Sequence, residues 1–144
     1  MSVRGFACIG LESPKFSENV GSALRAAGCY GAAMVAASGQ RFNDMPTDTK
    51  KLYKHLPYLT VDDLRQAVPH MCVPVAVELL PDAVPLPEYN HPERAFYIFG
   101  PEDSSISDSV LEWTRQRVYI PTEGCMNIAA TINVVLYDRQ CKQS

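Results

Sequence analysis

Short, continuous apolar runs alternate along this chain with longer stretches of helical period. Gly5 to Leu11, Ala32 to Ala37, Val73 to Leu79, Ala95 to Phe99 and Arg117 to Ile120 read as strands, most of them apolar on both faces. Between the first two, Val20, Ala23, Leu24 and Ala27 recur at i, i+3, i+4 and i+7, one apolar stripe of a helix. Ser17 suits its N-cap, and Gly28 or Gly31 can end it. Thr60 to Asp63 resembles a capping box with Asp in place of Glu, opening a short helix to Ala67. Pro74, Pro81, Pro85, Pro87 and Pro92 fix an extended connection before the fourth strand. A loop from Gly100 to Ile106 then leads to a helix around Asp108 to Trp113.

The sharpest change of pattern lies at residues 119–131. The strand ending at Ile120 meets Pro121, which has no N–H to give a neighbour, so sheet pairing stops there. A short loop, Thr122 to Cys125, follows. Met126 to Tyr137 is then apolar on nearly every face, broken mainly by Asn127, Thr131 and Asn133. Its β-branched residues suit a strand, but about three turns of length favour a buried helix. A polar Asn127 at the start of such a helix is costly unless paired, and capping is its plain structural role.

Strands alternating with helices predict an α/β domain with a mainly parallel sheet flanked by helices. Ligands of open α/β sheets bind at strand-to-helix loops, which directs attention to Gly100–Ser105 and Thr122–Asn127. Neither loop carries the dinucleotide fingerprint or a phosphate-binding P-loop, so an ordinary NAD or ATP site is not expected. The length of 144 residues suits one domain with a real core, without internal repeats or a separate RNA-binding domain. No apolar run approaches a membrane span, and no leader precedes the first strand, so no membrane partner is expected. Five cysteines, odd in number and without a Cys-x-x-Cys pair, argue against a disulfide framework and against a metal site. They favour a reducing cytoplasm. The net charge of −3 gives no global attraction for nucleic acid. The local exception is Lys50, Lys51, Lys54 and His55, either a solvated face or a phosphate-contacting patch for RNA.

Three stretches together carry a resemblance: Asn19 to Arg25 with Gly21 between them, Phe99 to Glu102, and Ile120–Pro121 followed by Cys125–Met126–Asn127. In this order and at these separations they resemble the motifs of the SpoU (TrmH-like) family, knotted RNA ribose 2′-O-methyltransferases of the SPOUT superfamily that use S-adenosylmethionine. The resemblance spans nearly the whole chain. It implies a C-terminal trefoil knot, which no general rule of chain topology predicts. It also implies a homodimer with the knots at the interface.

The same resemblance implies site roles. Val77, Glu78, Gly100, Ile120, Cys125 and Met126 match positions around the methyl donor, and glycine at 100 permits close backbone approach. Arg25 matches the arginine that activates the ribose hydroxyl. A guanidinium is a poor base, so stabilising the developing alkoxide is the role it can physically support. Asn19, Glu102 and Asn127 match positions that orient the arginine, the loops and the ribose, with Glu102 beside Arg25 as a charge-assisted pair. Three departures touch the pocket: Ser105 stands where the family has glycine, Cys125 replaces a serine, and the loop from Pro121 to Asn127 is shorter than usual. These readings make the chain an RNA methyltransferase, with tRNA favoured over ribosomal RNA. The departures keep open a non-catalytic SPOUT-fold module that binds RNA or a nucleoside-like ligand. A third reading is an unknotted doubly wound protein that binds some other nucleotide.

Overall fold

The computed structural model describes residues 5–43 and 56–143. Among these residues seven strands form one sheet in the order β3-β2-β1-β6-β4-β7-β5: β1 (Phe6–Glu12), β2 (Met34–Ser38), β3 (Tyr58–Val61), β4 (Val73–Val77), β5 (Val84–Pro85), β6 (Arg94–Phe99) and β7 (Gln116–Tyr119). Every described pairing is parallel. Among the described residues three α-helices accompany it: α1 (Ser17–Tyr30), α2 (Asp108–Leu111) and α3 (Ile128–Gln143).

The strand residues divide by alternation into two cores. Ile9, Val35, Val75, Tyr97 and Phe99 face the layer of α1 and α3, meeting Val20, Leu24, Ile132 and Val135. Cys8, Ala36, Ala76, Phe96 and Ile98 face the other side, covered by Leu64, Ala67, Ile106 and Val110. Continuous apolar runs are what a sheet buried on both faces requires. Each fully buried large side chain there stabilises the fold by roughly 1.5–3 kcal/mol.

Local rules set most boundaries. α1 ends where Gly31 takes a left-handed conformation (φ 69°) and sends its N–H to the Ala27 carbonyl. The expected capping box is real but displaced. Asp63 caps a 3-10 turn (Leu64–Ala67), with Gln66 as its reciprocal partner, while Thr60 lies in β3. Two strands were not expected: β3, an edge strand with exposed Leu59 and Thr60, and the two-residue β5 inside the proline-rich segment. Both lack the continuous apolar run of the central strands.

α3 also differs from expectation. It begins at Ile128 and runs to Gln143, and it is not buried all round. Val134 and Tyr137 are exposed, with the Tyr137 ring edge-on to Tyr30 of α1 at 6.4 Å. Its far end is held by polar groups. Arg139 is buried and donates to the carbonyls of Pro92 and Glu93 (both 2.7 Å) and to the Tyr97 hydroxyl (3.0 Å). His91, whose side chain has no solvent exposure, bonds Tyr97 through Nδ1 (2.6 Å) and Asp138 through Nε2 (2.7 Å). Lys142 reaches Asp138 (2.8 Å) and the carbonyls of Leu86 and Tyr89. The proton donors run in one consistent direction: arginine to tyrosine, tyrosine to neutral imidazole, imidazole to carboxylate.

Candidate active site in a cleft at the carboxyl edge of the sheet

The chain leaves β4, β6 and β7 at the same edge, and their loops meet the start of α3. Two adjoining hollows of about 510 and 660 Å³ open there, sharing Val77, Glu78, Glu102, Cys125, Met126 and Thr131 as walls. Asn19, Gly100 and Asn127 line one lobe and Ile120 the other. All six residues matched to the methyl donor therefore stand around one cleft, together with Asn19, Glu102 and Asn127.

Gly100 fits because nothing larger does. A Cβ built on it would lie 2.9 Å from the Ile106 backbone nitrogen and 3.3 Å from Glu78 Oε1. The 100–106 loop is folded back tightly at this point, fixed by the Ile106 N–H donating to Glu78 Oε1 at 3.1 Å. Beyond it, Ser107 caps α2 and donates its N–H to Glu12 at the end of β1 (2.8 Å), with its hydroxyl on the same carboxylate.

Glu102 is the other anchor. Its carboxylate accepts from the backbone N–H groups of Lys15 (3.0 Å) and Phe16 (3.0 Å) and from the Asn19 amide (2.6 Å). It thus serves the start of α1, where the N-cap residue Phe16 makes no side-chain cap of its own. Burial pushes its pKa up, but the bonds from Lys15, Asn19 and Phe16 outweigh that and hold it below the ordinary value. Nearby Asp103 is drawn down to about 2 by the Arg41 guanidinium, which it binds at 2.8 Å. Glu78 goes the other way: burial raises its pKa against the opposing bonds from Ile106 and Ser105.

Asn127 caps α3, accepting the Ala130 N–H on its side-chain oxygen at 2.8 Å. That use leaves the amide nitrogen of this cleft-lining residue available as a donor. Cys125 sits exposed in the 121–127 loop, which Thr122 stiffens by donating to the Gly124 carbonyl (2.7 Å).

Arg25 is the correction. The expected Glu102–Arg25 pair is not formed: the Glu102 carboxylate is taken by Asn19 and the α1 backbone, and among the described residues no ion pair involves Arg25. Arg25 is exposed on α1, about 9 Å beyond Asn19 along the axis at 1.5 Å per residue, and does not line the cleft. Lys50, Lys51, Lys54 and His55 lie outside the described residues. Phe16 and Thr131 are cleft residues that the motif reading missed. Phe16 was legible only as an apolar residue in a loop, and Thr131 only as a polar break in an apolar run. Among the described residues, no His, Cys, Asp or Glu group is arranged for a metal ion, and no helix is long and apolar enough to cross a membrane.

Comparison with known proteins places this arrangement. The chain is similar to the SpoU methyltransferase AviRb from Streptomyces viridochromogenes, with TM-score 0.83 and 20% identity over 98% of this chain and 61% of that one. The same enzyme with the cofactor AdoMet superposes with TM-score 0.80 at 19% identity, covering 99% of this chain and 60% of that one. A structure described as bearing on 2-OH methylation of C/U34 on tRNA gives TM-score 0.79 at 21% identity, covering 96% of this chain and 97% of that one. The chain thus spans about three fifths of the length of AviRb, and nearly all of the tRNA-related protein. No curated protein matches it by sequence. The model of the SpoU rRNA Methylase family matches residues 7–137, nearly the whole chain, and the protein belongs to that family.

Proposed function

We propose that the chain is an S-adenosylmethionine-dependent RNA ribose 2′-O-methyltransferase acting on tRNA. The observation that carries this reading is the cleft itself, in which motif residues from three separate stretches meet at the carboxyl edge of a parallel sheet. Its size suits a nucleoside-sized ligand, and the tight backbone at Gly100 offers main-chain groups in place of side chains. When bound, the donor supplies an electrophilic methyl group on a sulfonium. The chain has to align a ribose oxygen with it and exclude competing water. Gly100, Ile120, Cys125, Met126, Val77 and Glu78 form the walls that would hold the donor. Asn127 offers its amide to the ribose, while Glu102 and Asn19 lock the start of α1 against the loop. Arg25 stands on the exposed side of α1. Its part in stabilising the alkoxide requires the substrate, or a second protomer, to bridge it to the cleft.

The reading includes a homodimer, supported by the exposed apolar side chains of Val134 and Tyr137 on α3. It also includes one methyltransferase domain over residues 1–144 with the family's C-terminal knot, and a basic RNA contact at Lys50, Lys51, Lys54 and His55. The tRNA preference rests on the near-complete match in length to the tRNA-related structure. A non-catalytic binding module is the second reading, favoured by the position of Arg25 away from the cleft.

Titration calorimetry with S-adenosylmethionine, followed by methylation of bulk tRNA by wild type and Arg25→Ala, separates the two. Micromolar binding and a rate loss of about a hundredfold or more in the variant support the enzyme. Donor binding without methylation of any tRNA leaves the binding module. Sedimentation equilibrium tests the dimer, and a monomer at micromolar concentration removes it.

A further inference from the structure

The charge on Glu78 has no ion-pair partner among the described residues. Glu78 is the first residue beyond β4 and is fixed there by its N–H bond to the Val118 carbonyl at 2.9 Å. Its side chain is half-buried and forms a wall of both lobes of the cleft. The carboxylate accepts the Ile106 N–H on Oε1 and a bond from the Ser105 side chain, both of which an uncharged amide oxygen can also accept. Among the described residues no lysine or arginine forms an ion pair with it. Its charged neighbours are acidic. Glu12 adds repulsion, and Glu102 shares the cleft wall while its own carboxylate is held by Asn19 and α1. A half-buried carboxylate without a counter-ion among the described residues suits a cation that arrives from outside.

We infer that Glu78 reads the charge of the methyl donor, favouring the sulfonium form over the neutral thioether left after transfer. The inference rests on the proposed methyltransferase function. In that reaction the sulfur–methyl bond breaks and the oxygen–methyl bond forms. The bonding electron pair stays on sulfur, which loses its charge, and the hydroxyl proton passes to solvent. S-adenosylmethionine therefore carries one more positive charge than S-adenosylhomocysteine. A carboxylate in the same cleft attracts the first and has no such hold on the second. Donor loading and by-product release are thereby set apart by one residue outside the three motifs.

The test is calorimetric titration of wild type and Glu78→Gln with each of the two molecules. Glutamine keeps the acceptor for Ile106, so the loop is retained. The expected result is S-adenosylmethionine binding about tenfold weaker in the variant, about 1.4 kcal/mol, with S-adenosylhomocysteine changed less than about twofold. Equal weakening of both molecules would show a loop-holding role only and overturn the inference, as would no change in either. Should Glu78→Gln not fold, Glu78→Asp keeps the charge and must keep the preference; losing it overturns the inference. A wild-type protein that binds neither molecule removes the proposed function, and this inference with it. A wild type that binds both while Glu78→Gln weakens both alike removes the inference alone.

Discussion

The two ends of α3 are built in opposite ways. At its start, Asn127 caps a helix whose first turn borders open space, and most of the walls around it are half-buried or exposed. At its finish, Arg139, His91, Tyr97, Asp138 and Lys142 form an internally satisfied network against the 86–93 segment, buried at Arg139 and Tyr97 and reaching the surface at Lys142. One end is anchored so that the other can be presented. Binding surfaces come from the less stable part of a fold by necessity, and a helix clamped at only one end separates the two demands.

Breaking the clamp has the largest expected effect. Arg139→Met removes three charge-assisted hydrogen bonds at once, leaving the Tyr97 hydroxyl only its His91 bond and the Pro92 and Glu93 carbonyls only Gln143 and Phe6, and urea unfolding should show a loss of about 3–5 kcal/mol. A loss below about 1 kcal/mol would mean that the network is not what holds α3 down. Next comes Gly100→Ala, which acts at the other end. Its Cβ must displace the Ile106 amide, so donor affinity is expected to fall at least about tenfold while stability drops only about 1–3 kcal/mol. Retained affinity, measured by calorimetry, would erase the distinction between the two ends.

The smallest effect is a pH dependence. Burial holds the His91 imidazole below its ordinary pKa, and the Asp138 bond opposes this without overcoming it. The unfolded chain then binds a proton that the folded chain refuses, starting near the ordinary histidine value of about 6.5. Stability contributed by this residue is complete above that value and is lost as pH falls toward the depressed folded pKa. Compared with His91→Gln, wild type should lose stability more steeply between neutral and mildly acidic pH in thermal melts. Parallel curves would place the imidazole in water.

Much of this was legible in the residues. The central strands announced themselves because a sheet covered on both faces needs unbroken apolar runs, and α1 because its stripe of Val20, Ala23, Leu24 and Ala27 has helical period. Edge strands such as β3 carry no such signal, since half of their surface meets water. Of the cleft, the motif residues around Gly100 and Asn127 were readable. What was not readable was the use of Glu102. A charge in sequence does not reveal its partner, and three donors at the start of α1 win over a more distant guanidinium. The clamp was invisible for the same reason: His91 and Arg139 are far apart along the chain, and nothing local marks either as buried.

The strand order has a consequence for how the molecule is made. β6 lies between β1 and β4, so β1 has only β2 beside it until residues 94–99 have left the ribosome. Through that interval a long apolar edge, Phe6 to Leu11, stands unpaired, and the contacts that close the sheet span most of the chain. Parallel pairings of this kind form slowly, and exposed edges invite association with other chains. The nascent protein is therefore most vulnerable just before its middle strand is synthesised, before the walls of the cleft at Gly100 and at 120–127 exist.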